Sequence, residues 1–175
     1  MNFILTSNCN KGCPYCFARP YRENNEEEMS IETFNKLLDK SGSKNIKLLG
    51  GEPTQHSQFK DMLEIALKRG FNITLISNFL FNEEIRNFII EKLESYNIHF
   101  LINSTNLDRG NLIETFKTNF NEIYQFLYKT DRETFMSNGM TIEWDKDWKY
   151  YVQYLDFLKE HLHNLERVRL SLNFP

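Results

Sequence analysis

The sequence predicts a parallel α/β fold built from right-handed βαβ units. Two observations carry that prediction. Short apolar, β-rich runs alternate with longer stretches whose apolar residues recur at helical spacing, six runs of the first kind with five of the second. No Pro-, Gly- or Ser-rich linker interrupts the alternation, so residues 1–175 are expected to form one domain. The length falls short of the roughly 250 residues of a complete eight-fold βα barrel.

Phe3-Ile4-Leu5 forms the first strand and leads into a polar loop that holds every cysteine of the chain. The charged stretch from Tyr21 to Glu28 reads as solvated loop or helix entry. Ser30 then caps a helix carrying Ile31, Phe34, Leu37 and Leu38, with Gly42 just past its end. Ile46–Leu49 is the second strand and stops at Gly50-Gly51. Phe59, Met62, Leu63, Ala66 and Leu67 mark the second helix, which Gly70 ends. The pattern repeats with a strand at Ile73–Ile76 and a helix at Glu83–Leu93, through Ile85, Phe88 and Ile89. A fourth strand at Ile98–Ile102 precedes a long helix over about 111–128, in which Phe116, Phe120 and Phe126 read as core. The fifth strand is placed at Met140–Trp144 on a short alternation with polar flanks. A helix at Trp148–Leu162 follows, through Tyr151, Val152, Leu155 and Leu158, and Val168–Leu172 is the sixth strand. No helix follows to cover that strand. The chain is therefore expected to be incomplete at its C-terminus, or to have that edge covered by a partner or a missing segment.

Composition narrows the function. The 21 Lys and Arg against 24 Asp and Glu give a net charge of −3, which indicates no broad basic surface for nucleic acid. No apolar run approaches the ~20 residues that cross a bilayer. Met1–Thr6 lacks the basic start and long apolar core of a signal peptide, so a cytoplasmic protein is expected. Three cysteines, an odd number, cannot all pair within one chain, which argues against a disulfide framework.

Those cysteines are Cys9, Cys13 and Cys16, spaced C-x3-C-x2-C directly after the first strand. Three thiolates on one loop can hold a multi-iron cluster or a single metal ion. Cuboidal iron–sulfur clusters normally take four Cys ligands, so three leave one iron open to a substrate or cofactor. Gly12 and Pro14 suit a loop that bends around a bulky inorganic core. The alternative is a zinc site of three Cys and one His, with His56 the only nearby candidate in sequence. Zinc thiolates usually come as two C-x2-4-C pairs, and a second pair is absent. Gly50-Gly51-Glu52-Pro53-Thr54 follows the second strand. By itself it reads as a turn and an ordinary acid, but glycines without Cβ would also let backbone approach a ligand closely.

Together the two motifs resemble the radical SAM superfamily. Tyr15 stands at the aromatic position before the last cysteine, and Gly50-Gly51-Glu52 is similar to the family's "GGE" segment, which binds the methionyl amino group of S-adenosylmethionine. The resemblance spans nearly the whole chain and implies a partial (β/α)6 barrel lacking the last helix. It implies a [4Fe–4S] cluster on Cys9, Cys13 and Cys16, with S-adenosylmethionine chelating the open iron. An external electron donor would drive reductive cleavage to a 5′-deoxyadenosyl radical that abstracts hydrogen from a substrate. The Gly-Gly-Glu-Pro-Thr wording is similar to that of relatives that modify peptides or proteins.

The resemblance also implies that Glu52 accepts from the ammonium group and that Tyr15 packs near the adenine. Ser77-Asn78 resembles the family's "TNG" segment, with Phe79 in place of the glycine. Asn103 and Ser104 stand where relatives contact the ribose or the methionyl carboxylate. Strand-end capping is the ordinary explanation for those four polar residues. The fifth strand departs from the family's G-x-I-x-G-x-x-E pattern, offering Met140, Ile142, Trp144 and Asp147, with Trp144 a packing or substrate residue. No cysteine remains for an auxiliary cluster. A glycyl-radical-enzyme activase and a non-catalytic iron–sulfur or S-adenosylmethionine-binding regulatory module are the alternative functions.

Overall fold

In a computed structural model of the chain, six strands lie side by side in the order in which they occur in the sequence. The structure describes residues 1–16, 18–22, 27–105, 111–132, 135–143, 148–161 and 167–173. The strands are β1 (Asn2–Ile4), β2 (Asn45–Leu49), β3 (Asn72–Ser77), β4 (Ile98–Asn103), β5 (Met136–Glu143) and β6 (Arg167–Asn173), and every neighbouring pair is parallel. Parallel neighbours need crossovers, and helices supply them. These are α2 (Ile31–Lys40), α3 (Phe59–Lys68), α4 (Glu83–Ser95), α5 (Leu112–Lys129) and α6 (Trp148–Lys159), preceded by a single turn, α1 (Arg19–Arg22). β1 and β6 are the edges of an open sheet, the partial barrel expected.

Alternation within each strand sorts the residues onto two faces. Ile46, Leu48, Ile73, Leu75, Ile98, Phe100, Ile102, Met136 and Met140 are buried under the helices. The helices meet them with Phe34 and Leu38 from α2, Met62 and Leu63 from α3, Ile89 and Leu93 from α4, and Phe116, Phe120 and Ile123 from α5. Lys47, Thr74, His99, Ser137, Gly139 and Arg169 take the opposite, concave face.

Local chemistry sets the boundaries. Ser30 caps α2 by accepting from the Thr33 N–H at 3.1 Å, an interaction that stabilises a helix by about 1 kcal/mol. Gly70 takes φ +72° after α3, where its N–H reaches Leu67 O and the Phe71 N–H reaches Ala66 O.

Two expectations are corrected. β5 begins at Met136, four residues before the expected start, because the polar Ser137-Asn138-Gly139 run is a central strand despite its weak strand propensity. Asn138 is buried there, donating to Ser104 Oγ at 3.2 Å and accepting from Tyr154 Oη at 3.1 Å. On α6 the buried stripe is Tyr151, Tyr154 and Leu158, whereas Val152 is exposed. Trp144, Asp147 and Leu162 lie outside the described residues.

Candidate functional site

The loops at the C-terminal ends of β1, β2 and β3 are bound into one unit. Beyond β1 the chain stays paired with the chain beyond β2: Leu5 N–H donates to Leu49 O, Gly51 N–H to Thr6 O and Glu52 N–H to Asn8 O, each at 2.8 Å. Segment 27–29 holds the other side of this run, through Ser7 N–H to Glu27 O at 2.9 Å and Met29 N–H to Leu5 O at 2.8 Å. The two glycines are required by this close approach of chain to chain. A Cβ on Gly50 would stand 2.4 Å from Thr6 O, and one on Gly51 would stand 2.2 Å from Asn8 O and 2.5 Å from Ser7 O. The direction expected to face a ligand is thus filled by the start of the cysteine loop.

Glu52 joins the second loop to the third. It is 1% exposed, and its Oε1 accepts from Thr54 Oγ1 at 2.8 Å, Thr54 N–H at 3.3 Å and Ser77 Oγ at 2.9 Å. Its Oε2 accepts from the Asn78 N–H at 2.7 Å. Burial pushes the carboxyl above its ordinary range, and these hydrogen bonds oppose that rise only in part. Asn78 ties in the first loop: its side-chain amide donates to Asn10 Oδ1 at 2.8 Å, and Asn10 donates to Leu80 O at 2.7 Å.

Phe79 occupies a position whose backbone conformation would suit a glycine. Its φ is +59°, in the left-handed region, which costs a non-glycine residue about 1–2 kcal/mol. The side chain offsets that cost by complete burial against Phe81, Phe100 and Phe116, at ring-centroid distances of 5.2, 5.5 and 6.4 Å. Asn119 on α5 fixes the same turn from behind, donating to Phe79 O at 2.9 Å and Phe81 O at 2.8 Å.

A cavity of about 180 Å³ opens where these loops meet. Cys9, Cys13, Cys16, Tyr15, Gly50, Gly51, Glu52, Ser77, Asn78 and Asn103 all line it, so the two motifs and most of the polar residues expected with them share one space. Ser104 does not line it. That residue is buried, with its hydroxyl donating to Gly139 O at 3.3 Å and accepting from Asn138, so it ties β4 to β5. Asn103 Oδ1 accepts from Thr105 Oγ1 at 2.9 Å.

Sequence reasoning missed Asn10, Lys11, Thr54 and Asn119. Thr54 stood in the Gly-Gly-Glu-Pro-Thr segment without a role of its own, and Asn119 carried a signal as a polar residue on the apolar stripe of a long helix between Phe116 and Phe120. Lys11 is buried at the cavity wall, and its backbone N–H donates to Cys9 Sγ at 3.4 Å.

The donor set fits a soft metal group. All three thiols are free of disulfides and half-buried, and the Asn78 amide is 3.9 Å from Cys9 Sγ. Among the described residues no three metal-ligating side chains converge to coordination distance, so the thiols share a cavity wall and not a preformed triangle. His56 does not complete a zinc site. Its Nδ1 accepts from the Gln58 N–H at 2.9 Å, which leaves Nε2 to donate to Met29 O at 2.9 Å.

Three thiols and a glycine-rich acidic turn, gathered at the C-terminal ends of parallel strands, define an α/β domain that binds a cofactor at its strand ends. The chain belongs to the radical SAM superfamily, whose family profile matches residues 3–124. That membership makes it one of a superfamily of enzymes and brings S-adenosylmethionine and an iron–sulfur cluster as the family's cofactors.

The chain is 38% identical over 79 residues to a tungsten-containing aldehyde ferredoxin oxidoreductase cofactor-modifying protein of Pyrococcus furiosus, a match covering 42% of this chain and 22% of that one. It is 28% identical over 82 residues to an S-adenosylmethionine-dependent nucleotide dehydratase of Selenomonas ruminantium, covering 45% and 29%. Among solved structures it shares the fold of Streptococcus suis SuiB bound to S-adenosylmethionine, with TM-score 0.60, 14% identity, and coverage of 99% of this chain and 40% of that chain. SuiB bound to its precursor peptide SuiA matches with TM-score 0.57 and 15% identity, over 98% of this chain and 38% of that one. The chain thus spans less than half the length of each of these relatives. No helix among the described residues is long and apolar enough to cross a membrane.

Proposed function

We propose that this chain is the S-adenosylmethionine-cleaving core of a radical enzyme, with Cys9, Cys13 and Cys16 holding a [4Fe–4S] cluster and the neighbouring loops holding S-adenosylmethionine. The observation that carries this reading is the single cavity lined by all three cysteines and by Gly50, Gly51 and Glu52. Held there and reduced by an external electron donor, the cluster would supply the one electron that cleaves S-adenosylmethionine into methionine and a 5′-deoxyadenosyl radical able to abstract hydrogen from the substrate.

The chain's own residues orient the cofactor and exclude water. Glu52 presents a buried carboxylate to the methionyl ammonium, while its hydrogen bonds keep the loops after β2 and β3 fixed. Tyr15 flanks the adenine, and Ser77, Asn78 and Asn103 offer polar groups to the ribose and carboxylate. Ser104 acts behind them, holding β4 to β5. A peptide or protein is the substrate class we favour, on the fold shared with SuiB, a protein solved with its precursor peptide. One domain spanning residues 1–175, working in the cytoplasm, completes the proposal.

The test is anaerobic reconstitution with iron and sulfide, reduction, and chromatographic detection of 5′-deoxyadenosine from S-adenosylmethionine. Cys13→Ala is expected to lose bound iron and product together, and unchanged iron content in that variant overturns the assignment. A reduced protein that binds S-adenosylmethionine without cleaving it would instead favour a regulatory module.

A further inference from the structure

A second cavity, of about 270 Å³, lies on the concave face of the sheet. Lys47, Thr74 and His99 form one row across β2, β3 and β4, since Lys47 pairs with Thr74 and Thr74 with His99. The row sits two residues before Leu49 and Ile76, which line the cysteine cavity, and so about 7 Å below it along the strands. Ser137 and Gly139 of β5 and Arg169 of β6 continue the wall. The Arg169 guanidinium lies over Gly139, with Nη2 and Nε 3.7 and 3.9 Å from where a Cβ at that position would stand.

The charge of this wall is one-sided. Among the described residues no Asp or Glu lines the cavity, and neither the Lys47 nor the Arg169 side chain forms an ion pair. Elsewhere the same chain pairs its cations: Lys92 with Glu64, Arg69 with Asp39 and Arg86 with Glu122. With a net charge of −3, the chain has more carboxylates than cations, yet among the described residues none lines this wall. The His99 ring is stacked on Phe135 at 4.2 Å, which fixes the imidazole at the wall, and the Thr74 hydroxyl adds a donor beside it. Cations kept free of carboxylates in a concave site concentrate their field on an incoming oxyanion. An Arg fork suits the paired oxygens of a carboxylate or phosphate.

We propose that this cavity binds an oxyanion of the substrate, a carboxylate or a phosphate, through Lys47, His99 and Arg169, leaving the rest of the substrate directed toward the cysteine-lined cavity. The proposal deepens the radical-enzyme reading and rests on it for the substrate's place inside the partial barrel. Its test needs neither cluster nor S-adenosylmethionine.

The full 175-residue chain is titrated calorimetrically with tripolyphosphate and, separately, with citrate, at low and at physiological salt. Saturable, salt-sensitive binding of at least one is expected, and the ligand that binds more tightly identifies phosphate or carboxylate as the recognised group. Lys47→Ala and Arg169→Ala are each expected to weaken binding about tenfold, the scale of one charged hydrogen bond. Both side chains are exposed, so the unfolding midpoint should not move. Lys36→Ala, on an outer helix, should leave binding unchanged. Absence of saturable binding by either ligand, or an equal loss in Lys36→Ala, overturns the proposal. A protein that forms 5′-deoxyadenosine but fails these titrations loses the oxyanion site alone. One that passes them but holds no iron loses the cluster assignment alone.

Discussion

Gly51→Ala separates two reasons for a glycine at the second turn. If the residue is small to admit a ligand, the apo protein should tolerate a methyl group and lose only affinity for S-adenosylmethionine. The structure predicts the reverse. The added Cβ would stand 2.2 Å from Asn8 O, against 3.4 Å where ordinary contact begins, so one chain must retreat by about 1.2 Å. The obstacle is backbone, which has no rotamer by which to move aside. A retreat of that size breaks the bonds from Gly51 N–H to Thr6 O and from Glu52 N–H to Asn8 O, both now 2.8 Å. Each contributes about 0.5–1.5 kcal/mol, and the uncovered polar groups of this part-buried turn add to the loss, so about 2–4 kcal/mol of destabilisation is expected. Urea unfolding of apo wild type and variant reads it as a fall in midpoint at constant slope. Because Asn8 precedes Cys9, iron uptake on reconstitution should fall as well. Wild-type stability in the apo variant, with only S-adenosylmethionine affinity lost, would refute the chain-to-chain account.

Glu52→Gln tests the buried carboxyl. Its folded-state pKa lies above the ordinary 4.5 because burial outweighs its hydrogen bonds, so its contribution to stability is fully present below that value and is lost as pH rises through the folded pKa. Urea midpoints measured from about pH 4 to pH 8 should therefore decline less steeply in Glu52→Gln than in wild type, and equal slopes count against the shift. Phe79→Gly relieves about 1–2 kcal/mol of left-handed strain but forfeits a buried aromatic ring worth about 3–5 kcal/mol, so a net loss of about 2–3 kcal/mol is expected by the same assay. Asn119→Ala strips the Phe79 and Phe81 carbonyls of their side-chain donor, at about 2–4 kcal/mol in all. Faster amide exchange over residues 79–81 would localise that effect to the turn.

Much of the fold was legible because periodicity reports burial directly. The alternation in Asn72–Ser77 and the helical stripe through Phe116, Phe120 and Ile123 each announce an apolar face, and both elements stand where they were expected. β5 was legible only in its second half, since Ser137-Asn138-Gly139 is held by neighbours on both sides and by Tyr154, none of which a local pattern reveals. At the site the cysteine loop could be read from its spacing, whereas Gly50 and Gly51 alone read as a turn and gained a role only through the family resemblance. The bracing by Asn10 and Asn119 could not be read from spacing, because it depends on contacts across 38 to 70 positions of sequence, from Asn119 to Phe79 and Phe81 and from Asn10 to Leu80 and Asn78.

The polar residues around the cysteine cavity divide by what their hydrogen bonds already hold. Glu52 receives four donors, Ser77 both donates to Glu52 and accepts from the Phe79 N–H, and Asn78 engages Asn10, Leu80 and Glu52 at once. These bonds tie the loops after β1, β2 and β3 to one another, so a ligand entering the cavity meets a wall whose ordering was completed on folding. Such a network cannot be apportioned by single substitutions, because each residue's bonds fix the geometry of the next. That coupling also accounts for Phe79: a left-handed, strained residue persists where the turn around it is determined from both sides, by Asn119 behind and Glu52 and Asn78 in front. Glycine would adopt the same turn without strain, but it would leave a hole among Phe81, Phe100 and Phe116 where the turn meets the core. Phe79 thus keeps a backbone conformation that glycine adopts freely and adds an anchor under the loops that line the cysteine cavity.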